Sequence, residues 1–206
     1  MVPLEKLKSI KATVVGCGAG GRQICLQLAT IGVPNLHLID FDKVEVVNLA
    51  SQGFYEKDLG QFKVDAVAAT CKEIDSQINI KTTKAKFNPM MFGGGVIFSC
   101  TDSMSARRQV FESTSGLREL LIDARTSSEY SRIFIIDNSE ESTKHYEKSL
   151  FSDDEAHTGS CTAKMTFYVA NVSAGIRVAQ FAKWLRNIPI DREICINLLS
   201  NEMICK

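Results

Sequence analysis

Apolar positions along the chain fall into two rhythms, short continuous runs and repeats at steps of three and four. Ala12 to Val15 is a continuous run that ends in glycines, the form of a buried strand. Ile24, Leu28 and Ile31 then recur at helical spacing over Gly20 to Ile31, until Gly32 and Pro34 stop the helix. Leu36 to Ile39 makes a second strand, ending at Asp40, which completes a βαβ unit whose strands must run parallel. Asp42 to Asp58 is polar and reads as a loop. Beyond it Val64, Val67, Cys71, Ile74 and Ile78 share one helical face. Val96 to Cys100 is again a buried strand, Ser103 to Thr114 a helix, and Glu119 to Asp123 and Arg132 to Ile136 two further strands. Strands alternating with helices predict an α/β fold in three layers around a mainly parallel sheet.

The rhythm breaks from Asn138 to Ser160, where the chain turns polar and mildly acidic, and residues 139–160 read as a mobile crossover or lid. Thr162 to Leu185 is then a long, Ala-rich apolar helix. Its Asn171, Arg177, Gln180 and Lys183 argue against a membrane span and for packing on the sheet. In the tail, Glu193 to Cys205 predicts two short antiparallel strands turning at Ser200-Asn201.

Composition narrows the class. With 206 residues, 45% of them hydrophobic, the chain suits one core and a single domain over 1–206. Lys+Arg and Asp+Glu each number 24, so no global field steers the protein to nucleic acid or an anionic membrane. The first residues carry no apolar stretch of signal-peptide length, which predicts a cytoplasmic protein. Seven cysteines with no C-x-x-C pair suit reduced, mostly buried thiols. His37, His145 and His157 form no metal-ligand spacing.

Chemistry first shows between the first strand and helix. Gly16, Gly18 and Gly21 satisfy G-x-G-x-x-G, where absent side chains let phosphate oxygens approach backbone amides and the positive helix end. Asp40 closes the next strand, where an acid can accept hydrogen bonds from ribose hydroxyls. Together these form a Rossmann-like dinucleotide or nucleotide signature.

The residues that follow select among such proteins. Leu38-Ile39-Asp40-Phe41-Asp42-Lys43-Val44-Glu45-Val46-Val47-Asn48-Leu49-Ala50-Ser51-Gln52 resembles the E1-like signature of the ThiF/MoeB/HesA adenylyltransferases, a paired-aspartate strand end followed by V-E and N-L-x-R-Q. Asp58-Leu59-Gly60-Gln61-Phe62-Lys63 resembles that family's D-I-G-x-x-K, and Cys100-Thr101-Asp102-Ser103 with Arg107 resembles T-D-N-x-x-x-R. Four ordered motifs thus match over Gly16 to Arg107.

The resemblance implies ATP-dependent adenylation of the C-terminal carboxylate of a ubiquitin-like or sulfur-carrier protein, a nucleotidyltransferase reaction that releases pyrophosphate. Such chemistry accumulates negative charge, which the site must neutralise. Lys63 can place a point charge on the phosphates, while Asn48 and Gln52 can donate hydrogen bonds to oxygens. Asp102 can hold Mg²⁺. By resemblance Asp40 holds the ribose and Asp42 organises the site, with Arg107 a local brace.

Departures from the pattern matter as much. Ser51 stands where the family carries arginine, so a phosphate-clamping guanidinium is missing; Arg22, next to the glycine turn, either replaces it or is a surface arginine of the first helical turn. Few residues precede the first strand, and Lys6, Lys8 and Lys11 are weak substitutes for the family's N-terminal arginine. Without paired C-x-x-C motifs no structural zinc is expected. Cys161 is the best single candidate for a thioester or persulfide role, against an incidental cysteine.

The resemblance further implies a homodimer, and an E2-like or sulfurtransferase partner downstream. Two other functions compete with the enzyme: a non-catalytic E1-like scaffold subunit, which Ser51 permits, and a NAD or FAD oxidoreductase, which leaves Asp42, Asn48, Gln52 and Lys63 without a role.

Overall fold

The computed structural model describes residues 3–153 and 167–206. In chain order its elements are α1 (Leu4–Leu7), β1 (Lys11–Val15), α2 (Ala19–Thr30), β2 (Asn35–Ile39), α3 (Val46–Gln52), α4 (Lys63–Ile74), β3 (Asn79–Thr83), β4 (Gly95–Ser99), α5 (Met104–Ser113), β5 (Arg118–Ser127), β6 (Tyr130–Ile136), α6 (Glu140–Glu147), α7 (Phe167–Leu185), β7 (Glu193–Asn197) and β8 (Glu202–Cys205). Single 3₁₀ turns lie at Glu56–Asp58 and Pro89–Met91.

One eight-stranded sheet runs β3-β2-β1-β4-β5-β6-β7-β8. The first five of these strands are parallel and the last three antiparallel, matching the predicted mainly parallel sheet with antiparallel C-terminal strands. Side chains alternate across a strand, so each central strand feeds two cores. Val96 and Phe98 of β4 join Ile24, Leu28, Val67 and Phe181 of α2, α4 and α7. Ile97 between them points the other way, with Leu121, Phe134, Val110, Phe111 and Tyr146, under α5 and α6. Three layers result, as expected.

Strand order also sets where a ligand fits. From β1 the chain moves outward through β2 to β3, then returns to place β4 on the other side of β1. This switch leaves a crevice beyond the carboxyl ends of β1 and β4, the usual ligand position in such sheets.

Local chemistry corrects four boundaries. The polar stretch 42–58 is no loop throughout, because Glu45 and Asn48 form a reciprocal capping box that starts α3, and Gly53 in the left-handed region ends it. The helix expected to reach Ile78 stops at Ile74, where the Asp75 carboxylate accepts the Gln77 N–H at 2.9 Å and turns the chain. Its released end feeds β3, a polar edge strand (Asn-Ile-Lys-Thr-Thr) whose pattern gave no strand signal.

Within the supposed lid 139–160, Ser139 caps α6 and Tyr146 is buried against Phe111 and Phe134, so residues 140–147 are an integral helix of the second core. The rest of that stretch beyond Asp153, the start of the long helix at Thr162 and the candidate Cys161 lie outside the described residues. In the tail, β7 and β8 pair as predicted, with Asn201 taking a positive φ of 57° at the turn. Among the described residues no helix is long and apolar enough to cross a membrane.

Candidate functional site

A cleft of about 700 Å³ opens at the carboxyl ends of β1 and β4. Its floor is the turn between β1 and α2, pulled tight by a hydrogen bond from Gly16 N–H to Ile39 C=O at 2.8 Å. A Cβ on Gly21 would stand 1.8 Å from the Gly16 carbonyl oxygen, so a side chain there is incompatible with the turn. Gly18 is the N-cap of α2 and leaves the first amides of that helix without a side-chain partner.

Asp40 stands at the end of β2 and fixes this turn from the side. Its Oδ2 accepts the Cys17 N–H at 2.6 Å and its Oδ1 accepts the Asp42 N–H at 2.8 Å. Burial pushes its carboxyl above the ordinary carboxylate range, against the pull of those two amides and of Lys63. Each oxygen keeps a second lone pair for a ligand hydroxyl.

Lys63 begins α4, and its backbone N–H donates to the Asp42 carbonyl at 2.9 Å, which anchors the helix start at the cleft wall. The ammonium meets Asp42 Oδ2 at 2.8 Å, with the lysine side chain 7% exposed and the aspartate 48%. Half of the pair is therefore wet, and an incoming anion can share the ammonium while Asp42 turns to water. Gln52, at the end of α3, lies over Gly18 and carries a buried Oε1 without a partner among the described residues.

On the opposite wall, β4 continues through Cys100 and Thr101 to the exposed Asp102, just ahead of the Ser103 N-cap of α5. Buried Arg107 bonds Asp123 Oδ1, the Thr101 carbonyl and, at 2.9 Å, the Ala124 carbonyl. It ties the end of β4 to β5 and so fixes where Asp102 stands.

Of the residues singled out in the sequence, Gly16, Gly18, Asp40, Asp42, Gln52, Lys63 and Asp102 line this one cleft, and Gly21 supports its floor. Two do not line it. Asn48 Oδ1 accepts the Glu45 N–H at 2.9 Å within the α3 capping box. Arg22 is no surface arginine; it is buried between the rings of Phe54 and Tyr55, 5.5 and 5.3 Å from their centroids. Asp102 is the one free carboxylate at the mouth of the cleft, among the described residues lining it. Mg²⁺ characteristically takes one or two carboxylates together with phosphates and waters, so this donor set fits it without a protein cage.

Sequence reasoning overlooked Arg177. It comes from α7, lines the cleft and contacts Cys100 Sγ through Nη1 at 3.3 Å. The available signal was a guanidinium inside an apolar run, read only as evidence against a membrane span.

A profile of the ThiF family matches residues 3–202. The chain belongs to the ThiF family. This ThiF-family chain is 32% identical over 124 residues to a molybdopterin-synthase adenylyltransferase of Haemophilus influenzae, covering 57% of this chain and 51% of that protein. It is 27% identical over 146 residues to ubiquitin-like modifier-activating enzyme 5 of Arabidopsis thaliana, covering 61% of this chain and 34% of that one. It thus spans between a third and about half of the length of these relatives. Among solved structures, E. coli MccB with ATP superposes with a TM-score of 0.77 at 20% identity, over 98% of this chain and 65% of that one. That likeness establishes the ThiF fold.

Proposed function

We propose that the cleft binds Mg·ATP and that the chain adenylates the C-terminal carboxylate of a ubiquitin-like or sulfur-carrier protein. The observation that carries this reading is the meeting of the glycine turn, Asp40, Lys63 and Asp102 around one cleft. Membership of the ThiF family, a relative named for molybdopterin-synthase adenylylation and a fold neighbour solved with ATP all support it.

In this reading the ribose lies against Asp40 and the phosphates pass over the amides at the start of α2. Lys63 offsets charge on the triphosphate, and the partner carboxylate attacks the α-phosphorus, forming a P–O bond as the bond to pyrophosphate breaks. When bound, Mg²⁺ supplies further charge neutralisation, with Asp102 as its protein ligand. Gln52 offers its amide to the nucleotide from above Gly18, whereas Asn48 serves mainly by holding α3 in place. The site is assembled on strand ends and helix starts, which keeps the donors fixed as charge builds.

Magnesium-dependent exchange of labelled pyrophosphate into ATP, tested with small carrier proteins ending in glycine, measures this directly. Exchange that needs both the carrier and Mg²⁺ is the expected result. A protein that binds Mg·ATP but shows no exchange with any carrier, alone or with a second subunit, points instead to the scaffold role that Ser51 permits. A protein indifferent to ATP but stabilised by NAD refutes both.

A further inference from the structure

Arg177 is 3% exposed on a mostly apolar helix. A buried guanidinium is costly unless its charge is met. Among the described residues its hydrogen bonds go to the Ser173 carbonyl through Nε at 3.3 Å and to the Cys100 sulfur at 3.3 Å, neither of them an acidic side chain. No carboxylate lies within ion-pair distance of Arg177 among the described residues. The guanidinium's positive charge is left facing the cleft.

Its position is specific. A Cβ on Gly20 would come within 2.7 Å of Arg177 Nη2, so the glycine at this variable place of G-x-G-x-x-G makes room for the guanidinium. Arg177 thus reaches the turn that carries the α2 amides and lines the same cleft as Lys63 and Asp102. Meanwhile Ser51 spends its hydroxyl on the Val47 carbonyl at 2.6 Å, and Arg22 is enclosed by Phe54 and Tyr55 outside the cleft lining. Of the two buried arginines near the glycine turn, only Arg177 faces the ligand space.

We propose that Arg177 contacts the phosphates of the bound nucleotide beside Gly20, supplying from α7 the guanidinium that the family pattern places at position 51. The inference rests on the ATP reading above. A planar guanidinium can donate two parallel hydrogen bonds to phosphate oxygens, which an ammonium cannot reproduce. Arg177 therefore distinguishes phosphorylated from unphosphorylated ligands and leaves the nucleoside end untouched.

Binding of Mg·ATP and of adenosine to the full chain, measured by thermal shift and titration on wild type, Arg177→Met and Arg177→Lys, tests the assignment. Loss of one charged phosphate contact is worth about tenfold to a hundredfold in affinity. Arg177→Met is expected to weaken Mg·ATP at least tenfold and adenosine less than twofold, with Arg177→Lys between the two. The assignment is overturned if both variants bind Mg·ATP within twofold of wild type, or if ATP and adenosine weaken together, which marks a structural prop. Should Arg177→Met not fold, Arg177→Lys decides by the same two criteria. Wild type that ignores Mg·ATP defeats the proposed function itself, a result separate from failure of the Arg177 assignment.

Discussion

At the antiparallel end of the sheet, Glu193 on β7 is 1% exposed and fully surrounded. Its carboxylate meets Arg132 Nε at 2.6 Å, His145 Nε2 at 2.7 Å and Cys195 Sγ at 3.3 Å, with Lys206 Nζ at 3.8 Å. At the parallel end, Gln52 Oε1 and Thr101 Oγ1 are buried without partners among the described residues, and Lys63 is paired with a half-wet aspartate. Both ends bury charge and polarity in one sheet. The antiparallel end closes its network on itself, while the parallel end leaves donors and acceptors aimed into a cleft. Unsatisfied buried groups cost stability, so an open network is tolerated where a ligand completes it. The difference sets a self-contained network at one end of the molecule against the open candidate site at the other.

Lys63→Ala breaks the open end. Pyrophosphate exchange is expected to fall about 10²- to 10³-fold, the usual scale for removing one preorganised charge from a transition state. The melting temperature shifts little, because Asp42 is half exposed and rehydrates. A variant with near-native exchange removes Lys63 from the site.

Glu193→Gln breaks the closed end. Its partners are partly exposed, so the cost lies between surface and buried pairs, about 1 to 3 kcal/mol in urea unfolding, with exchange per folded molecule unchanged. Acid sharpens the same test. Burial works against ionisation, but hydrogen bonds from Arg132, Cys195 and His145 hold the Glu193 carboxyl, ordinarily near 4.5, down at about 2. A depressed folded pKa gives stability that is present above the unfolded value and is lost as pH falls through the folded one. Wild type is therefore expected to lose its advantage over Glu193→Gln between about pH 4.5 and about pH 2. Equal urea midpoints for the two proteins at neutral pH contradict the closed-network account.

Tyr146→Phe is milder. It deletes the hydroxyl that donates to buried Asp123 Oδ2 at 3.0 Å, while Arg107 remains on the other oxygen. A loss of about 1 to 1.5 kcal/mol in calorimetry is expected. Smallest is Asn48→Ala, which removes half of the α3 capping box at a cost of about 1 kcal/mol. An effect on Mg·ATP affinity much larger than on stability moves Asn48 from a support of the cleft to a ligand of it.

Strongly patterned elements were legible in the sequence because burial on both faces leaves long apolar runs, as in Val96 to Phe98 of β4. Elements held by side-chain capping or by a neighbour were not. α3 depends on a polar capping box, and β3 is a polar edge strand defined by its pairing with β2. α6 is mostly polar and its one large buried side chain, Tyr146, packs against Phe111 and Phe134.

The candidate site divides along the same line. Gly16, Gly18, Gly21, Asp40, Asp42, Lys63 and Asp102 were readable because backbone turns and strand ends fix their positions, and local order along the chain is what a motif records. Which of the two buried arginines beside the glycine turn faces the cleft, and that Asn48 spends its oxygen on a cap, were decided only when α7 and α3 packed against α2. The sequence alone determined the layers, the parallel sheet and the charge character of the cleft, since these follow from periodicity and short-range connection. Tertiary structure decided which buried polar groups are satisfied and which remain open, because that depends on contacts between residues far apart in the chain.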